Sequence, residues 1–421
     1  MVDNKKKLTI LGGGVAGVVS AYYLQDYFDI TILEANDYLG GHTNTILVDD
    51  NGNEIGIDTG FIVLNDQTYP NLHKFFNDLQ VAVRYTDMSF SFYSEKSNFE
   101  YSGRNLNTLF SKRSNLINPK FYSFLIEVSK FSKNALKDLN YLDTKTSLND
   151  YLKQYKYSNK LIYNYILPIG ASIWSTPSEL MLDFPAISFL NFFKNHGLLS
   201  LKNRPKWQTV IDGSNTYIKK FQKKFQGEIK LKSPIVKIKY ENNEYKIFTD
   251  KEVYRSEYLI SAIPANKVYD ITKDIDFEII KYYKNWEYNK NTVQLHTDKS
   301  IMPKNKRTWA SWNYLEQRKE DTNLISTYYM NLLQGLKSKN EYFVSLNSIE
   351  RINKDKIIFQ TDYMHPMFTV ENLNNIEKIK ALNGMNNFWF CGSYFGYGFH
   401  EDATKSSIEI IGKIKNDLCL K

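Results

Sequence analysis

Glycine stands at the first, third and sixth positions of Gly12-Gly13-Gly14-Val15-Ala16-Gly17. Apolar Leu8 to Leu11 come before this turn and read as a short strand. Val18 to Gln25 can open a helix, and Asp29 to Leu33 read as a second strand ending on Glu34. A strand, a G-x-G-x-x-G turn, a helix and a strand-end acid together form a dinucleotide-binding pattern. Each glycine has a separate task. Gly12 permits the tight turn, Gly14 lets backbone approach a pyrophosphate, and Gly17 lets helix pack on strand. The N-terminus of the helix offers free N–H groups and the positive end of its dipole to the phosphates. Glu34 is placed to accept hydrogen bonds from a ribose diol.

Lys5, Lys6 and Lys7 ahead of this apolar stretch also fit the start of a secretory signal, with Val19-Ser20-Ala21 as a cleavage-like site. That reading leaves the second strand and its acid unexplained. The stretch is also too short and too glycine-rich to span a bilayer. The chain of 421 residues, 42% hydrophobic and 24% charged, has the composition of an ordinary globular protein of one or two domains. Cys391 and Cys419 make neither a disulfide framework nor a metal-binding spacing, which suits a reducing, cytoplasmic setting. The net charge is +8, and the basic residues are mostly lysines spread along the chain. Nucleic-acid binding would favour a concentrated basic face. Weak attraction to an anionic membrane surface remains open.

A second glycine turn, Gly40-Gly41, and the segment Asp58-Thr59-Gly60 follow soon after Glu34. They suit a cofactor longer than a nicotinamide dinucleotide. Residues 167–199 are unusually apolar and aromatic, and a buried helix pair is the favoured reading over the wall of a substrate cavity. Residues 227–264 alternate polar and apolar side chains, as expected of a β-meander followed by a buried strand. Phe388 to Cys391 read as the last strand. Glu401 and Asp402 then stand in the first turn of an amphipathic helix, where its dipole favours acids.

These parts, closed by "FCGSYFGYGFHEDA", resemble the flavin-containing amine oxidoreductase superfamily, which includes monoamine oxidases, phytoene desaturases and protoporphyrinogen oxidases. "GGHTNT", "DTGFIVLNDQTYPNL", "IWSTPSELMLDFPA" and "FGYGFHEDA" are similar to a bacterial subgroup of amine-oxidase-like proteins associated with cyclopropane and methyl-branched fatty acid synthesis. The resemblance implies an α/β fold. Residues 1–80, 205–285 and 375–421 would form a Rossmann-like FAD-binding domain, interleaved with a mixed α+β substrate domain of residues 81–204 and 286–374. It implies non-covalent FAD held by Gly12, Gly14, Val15, Ala16, Gly17, Glu34 and Ala35, then by Gly40, Gly41, His42, Thr59, Gly60 and Phe61. Further contacts are implied at Val236, Ala262, Gly392, Ser393, His400, Glu401, Asp402 and Ala403. His42 departs from the family, which usually has arginine there facing the pyrophosphate.

The same resemblance implies catalytic roles for His365, His400, His296 and Tyr394. Tyr394 and Tyr397 would frame the flavin ring, although aromatic packing explains them as well. Trp174, Trp207 and Trp312 read as core. His196 follows the apolar segment without a clear task. The resulting expectation is an oxidoreductase taking a hydride from a lipid acyl chain and desaturating methyl-branched unsaturated fatty acyl groups. A cyclopropane-synthase-like methyltransferase would be its functional partner, and transient contact with the inner face of a membrane would supply its substrate. Three alternatives stay open: an amine or amino acid oxidase, a redox-neutral fatty acid isomerase, and a non-catalytic flavin-binding partner of the methyltransferase.

Overall fold

In the computed structural model, which describes residues 5–200, 202–318 and 325–420, five short strands run parallel in one sheet. Their order is Glu228–Lys230, Phe28–Leu33, Lys6–Leu11, Tyr258–Ser261 and Phe388–Phe390. Helices cover one face and bury Leu8, Ile10, Ile30, Ile32 and Ile260, while the antiparallel strands that follow Ile235, with the helix Ala265–Thr272, cover the other and bury Leu11, Leu33 and Leu259. The helix Val15–Leu24 follows the first strand, as its glycine turn predicts. It packs against the C-terminal helix His400–Asp417, where the Ser407 hydroxyl donates to the Ala16 carbonyl at 2.9 Å.

Beside this sheet, Ile235–Glu241, Glu244–Thr249 and Val253–Ser256 form the expected antiparallel meander. Asn242 and Asn243 both take positive φ, 54° and 60°, as a tight hairpin turn requires. The other large sheet has seven strands in the order Ile357–Pro366, Tyr288–His296, Phe343–Leu346, Ile325–Tyr329, Trp312–Glu316, Phe90–Ser94 and Glu100–Ser102. The segments "NTVQLHTD" and "TWASWNYLE" supply its second and fifth members.

Helices cap this second sheet around an aromatic core that includes Phe121, Phe124, Phe131, Trp174 and Phe189. The expected helix pair of residues 167–199 exists as Leu167–Trp174 and Ala186–Asn195. Ahead of the first of these, Ile162–Ile166 make one π turn. Pro168 lacks the N–H that an α-helix would send to the Asn164 carbonyl. That carbonyl instead accepts the Tyr101 hydroxyl at 2.9 Å.

Asp58, at the end of the strand Glu54–Asp58, ties that strand to Thr45, to the start of the helix Asn215–Lys224 and to Gln334 just past Met330–Leu333. Its carboxylate accepts from the Thr45 hydroxyl at 2.5 Å, from Ser214 N–H and hydroxyl at 2.8 Å, and from the Gln334 amide at 3.0 Å. Burial pushes its pKa up to about 6.

Two residues expected at the cofactor do structural work instead. The Glu401 carboxylate accepts from the Asn71 side chain at 2.7 Å, from Asn71 N–H at 3.2 Å and from Leu72 N–H at 3.0 Å. It thereby satisfies donors that the helix Pro70–Asp78 leaves open at its start. Asp402 accepts from Tyr397 N–H at 3.0 Å and Phe399 N–H at 2.9 Å, closing the turn that enters its own helix. Glu401→Ala is expected to cost about 1–3 kcal/mol, the scale of stranding buried donors, while flavin content stays unchanged. Urea denaturation and the flavin-to-protein absorbance ratio measure the two effects. A stable variant that loses flavin would return Glu401 to the cofactor.

Candidate functional site

Four parallel strands end at one edge of the first sheet, and the residue just past each end lines a single cavity. Gly12 follows Leu11, Glu34 follows Leu33, Ala262 follows Ser261, and Gly392 lies two beyond Phe390. This crevice outside the carboxyl ends is where open α/β sheets bind ligands. The cavity measures about 890 Å³ and reaches across to the seven-stranded sheet.

The glycine turns form its floor. A Cβ on Gly17 would lie 2.0 Å from the Gly12 carbonyl oxygen, so helix and turn are already in contact. A Cβ on Gly14 would meet nothing within 4 Å, because this residue faces the cavity. The first-turn residues Val15 and Ala16 line the same wall, as do His400 and Ala403 of the C-terminal helix. Both helices therefore point positive dipole ends into one space. Glu34 is buried there and accepts Gly13 N–H at 2.7 Å and Asn36 N–H at 2.8 Å. Its remaining lone pairs are free for a diol.

Four of the six histidines line the cavity: His42, His196, His365 and His400. His400 stacks on Phe61 with ring centroids 3.8 Å apart, and its Nε2 is 3.0 Å from the Thr43 hydroxyl. His365 receives the Asn291 amide at Nδ1, 3.1 Å away. The His42 ring lies 4.9 Å from Tyr363 and 5.4 Å from His365, and its buried Nε2 has no protein partner. Burial, with His42 nearby, lowers the pKa of His365 and His400 to about 3. Burial lowers that of His42 and takes that of His196 down to about 4. All four rings are neutral near pH 7.

The open face at Gly14, the unpartnered Nε2 of His42 and the paired helix ends fit a long, doubly phosphorylated cofactor. A sequence model of flavin-containing amine oxidoreductases matches residues 15–333. The chain belongs to that family. Its cofactor is FAD, held without a covalent bond. No curated protein sequence matches it. Several solved structures match its fold. One is a protein of Exiguobacterium sp. 255-15 assigned as a protoporphyrinogen oxidase, 15% identical, covering 98% of this chain and 99% of its own, with a TM-score of 0.70. A fatty acid isomerase of P. acnes that produces CLA is 14% identical, with coverages of 98% and 99% and a TM-score of 0.68. Putrescine oxidase bound to putrescine is 12% identical, with coverages of 97% and 99% and a TM-score of 0.69.

Most residues expected at the flavin lie on this cavity: Gly12, Gly14, Val15, Ala16, Glu34, Ala35, Gly40, Gly41, His42, Thr59, Gly60, Phe61, Ala262, Gly392, Ser393, His400 and Ala403. Gly17 sits behind the wall as a packing residue. Val236 does not reach the cavity. Its side chain is 58% exposed, and Ser233, Pro234 and Ile235 line the wall in its place. Leaving the turn, the chain presents Ile235 inward, and the pleat then points Val236 outward.

Among the expected catalytic residues, His365 and His400 reach the cavity. His296 does not. It is fully buried in the seven-stranded sheet, with Nε2 2.8 Å from the Ser345 hydroxyl and Nδ1 accepting Asp298 N–H at 3.1 Å. Tyr394 lines the wall, but its hydroxyl is 3.2 Å from that of Tyr283. Buried Cys391 has its sulfur 3.8 Å from the Ser20 hydroxyl and lies outside the lining.

Trp174, Trp207 and Trp312, expected as core, are cavity walls, and His196 joins them, stacked on Phe192 with ring centroids 3.7 Å apart. Nothing local marks these residues. They come together only when residues 167–199 fold back over the sheets.

Gly14→Ala is expected to fold with near-native stability and lose flavin, because the new methyl occupies the cofactor's side of the turn. Gly17→Ala is expected to lose about 1–3 kcal/mol, the scale of overpacking. Thermal melts and flavin content separate the two. Equal destabilisation by both would refute the division of labour. The buried histidines also set a pH dependence. A histidine with a lowered folded pKa contributes stability that is complete above its unfolded value near 6.5 and is lost as pH falls toward the folded value. Raised Asp58, Asp402 and Glu401 act oppositely, but the lowered histidines are His42, His196, His296, His365 and His400. The urea midpoint should therefore fall between pH 6.5 and 4, and a rising midpoint would contradict this balance.

Proposed function

We propose that this flavin-dependent oxidoreductase removes a hydride from an uncharged acyl chain, introducing a double bond into a methyl-branched unsaturated fatty acyl group. The observation that carries this reading is the wall facing the flavin part. Ile169, Ile173, Trp174, Phe192, Leu198, Trp312, Leu333 and Leu346 line it. Among the described residues, the charged members of the whole lining are Glu34, Lys267 and Asp362. Glu34 serves the dinucleotide turn. Lys267 stands on the helix Ala265–Thr272, next to the first sheet. Asp362 is held by Lys290 at 2.8 Å and Thr292 at 2.7 Å. No arginine or free carboxylate is offered to an amino acid or a cationic amine, and burying an unpaired charge in such a wall is costly.

FAD held at the glycine turns supplies the hydride acceptor; the protein supplies orientation and exclusion of water. An allylic C–H is a suitable donor because the developing positive charge is delocalised over the neighbouring double bond. The chain's own part is to keep water out with aromatic walls and to remove the proton that follows. His365 and His400 are the candidates for that proton. Both are hydrogen-bonded in place, and the proton beside a developing allylic cation is acidic enough to go to so weak a base, which then holds it as the imidazolium. The remaining positive field comes from the helix start at His400, suited to stabilise negative charge forming in front of it.

Anaerobic stopped-flow absorbance of the holoprotein tests the reading. Methyl-branched unsaturated phospholipid is expected to bleach the flavin, with a product two mass units lighter, and a panel of primary amines and amino acids to leave it yellow. Bleaching by amines alone would overturn the proposal. A product of unchanged mass with a moved double bond would replace desaturation by isomerisation. His365→Ala and His400→Ala are expected to slow flavin reduction by about 10²-fold, the scale of general acid–base catalysis, with cofactor retained.

A further inference from the structure

The segment 105–138 contains six Lys and Arg against two acids, half of the net charge of +8 in 34 residues. Both acids are tied inward. Glu127 accepts Ser158 N–H at 2.7 Å, and Asp138 accepts the hydroxyls of Tyr151 and Tyr155 at 3.1 and 2.6 Å. The outward cations are therefore left without counter-charges on their own segment. The same segment exposes large apolar side chains: Leu106 at 75%, Ile117 at 87% and Ile126 at 69%.

These groups form one surface. Asn118 caps the helix Pro119–Asp138, so Ile117 stands just ahead of its first turn. Ile126 lies one turn beyond Tyr122, whose hydroxyl donates to the Leu116 carbonyl at 2.9 Å and whose ring is 6.0 Å from Phe110. Phe110 closes the short helix that begins at Leu106. Arg113 donates to the Phe110 carbonyl at 3.1 Å. Lys160 reaches the Lys120 carbonyl at 3.4 Å, which adds a cation from the neighbouring helix.

We propose that this face docks on an anionic phospholipid bilayer, with Ile117 and Ile126 entering the interface and Lys120, Lys130 and Lys160 meeting headgroups. Exposed apolar residues ringed by lysine are the composition of an interfacial anchor. A second observation supports the placement. On its inner side, the helix Pro119–Asp138 buries Phe121, Phe124 and Phe131 in the same core that holds Ile169, Trp174 and Phe192. Those three line the cavity. One apolar core thus has the docking face on its outside and the cavity wall on its inside. This inference supplies the bilayer source that the acyl-chain reading requires.

Flotation of the full-length holoprotein with vesicles tests it without turnover, so it can fail or succeed independently of the substrate. Vesicles of phosphatidylcholine with roughly one-third anionic phosphatidylglycerol are expected to carry the protein up, and pure phosphatidylcholine to leave it behind. Lys120→Glu with Lys130→Glu is expected to weaken binding at least tenfold, since each basic residue at the surface counts for roughly fivefold. Ile117→Ser with Ile126→Ser should abolish the part of the binding that survives high salt. Lys219→Glu with Lys223→Glu, on the helix Asn215–Lys224 away from this face, changes net charge equally and is expected to leave binding intact. Equal loss in both charge variants, or equal flotation with neutral vesicles, would overturn the proposal. Flavin absorbance and thermal melts of each variant check that it is folded.

Discussion

Backbone packed on backbone at three glycine turns is the contact on which the site depends. Gly17 seats its helix on Gly12. Gly40 N–H donates to the Gly13 carbonyl at 2.8 Å, and a Cβ on Gly41 would lie 3.4 Å from the Gly14 Cα. A Cβ on Gly60 would lie 2.0 Å from the His42 carbonyl oxygen. With no side chains between them, three distant segments share one floor, and their N–H groups are what a ligand meets. The placement of Thr43 follows from this contact, and through Thr43 that of His400. The same contact brings His42 against Tyr363 and His365. A single added methyl at Gly60 would displace all of these.

The floor also offers a doubly negative pyrophosphate positive field without a guanidinium. Burial lowers the pKa of His42, and Lys267 is the only Lys or Arg among the described lining residues. A helix N-terminus acts as roughly half a positive charge. The two that converge here, at Val15 and His400, together make about one. Because they are fixed dipoles, their field requires no side chain to be ordered. A neutral histidine can therefore stand where the family usually has arginine, provided both helices hold their ends in place. Ser407 bonded to Ala16, together with the Asp402 turn, does this.

The parts legible in the sequence are those whose cause is local. The glycine turn, its helix, the strand ending in Glu34 and the Asn-Asn hairpin each carry their geometry within a few residues. Val236 turns its side chain outward, one residue past the lining, because strand alternation reverses with each residue and the sequence does not show where the turn after Ser233 ends. His296 sits on the expected strand, but the strand's partner, Phe343–Leu346, supplies Ser345 and draws the ring into the sheet. Glu401 looks like a dipole acid from its position in the helix. Its actual partners, Asn71 and Leu72, lie 330 and 329 residues away. His196 and the tryptophans became wall residues through packing between segments, which no local pattern encodes.

The choice between core and wall in residues 167–199 was a false one, and the π turn shows why. The helix Leu167–Trp174 is buried along nearly its whole length, so it has more than one face to give. Leu167–Trp174 gives residues to both sides: Leu167, Ile169, Ala171 and Trp174 belong to the aromatic core, and Ile169, Ile173 and Trp174 also reach the cavity. An α-helix turns by about 100° per residue, so the one extra residue of a π turn rotates everything after it by about that angle. Pro168 removes the donor that would oppose the extra residue, and Tyr101 takes the carbonyl left over. The rotation set at Ile162–Ile166 thus decides which side chains of the following helix a substrate would touch. Without it, the same apolar sequence would present a different set.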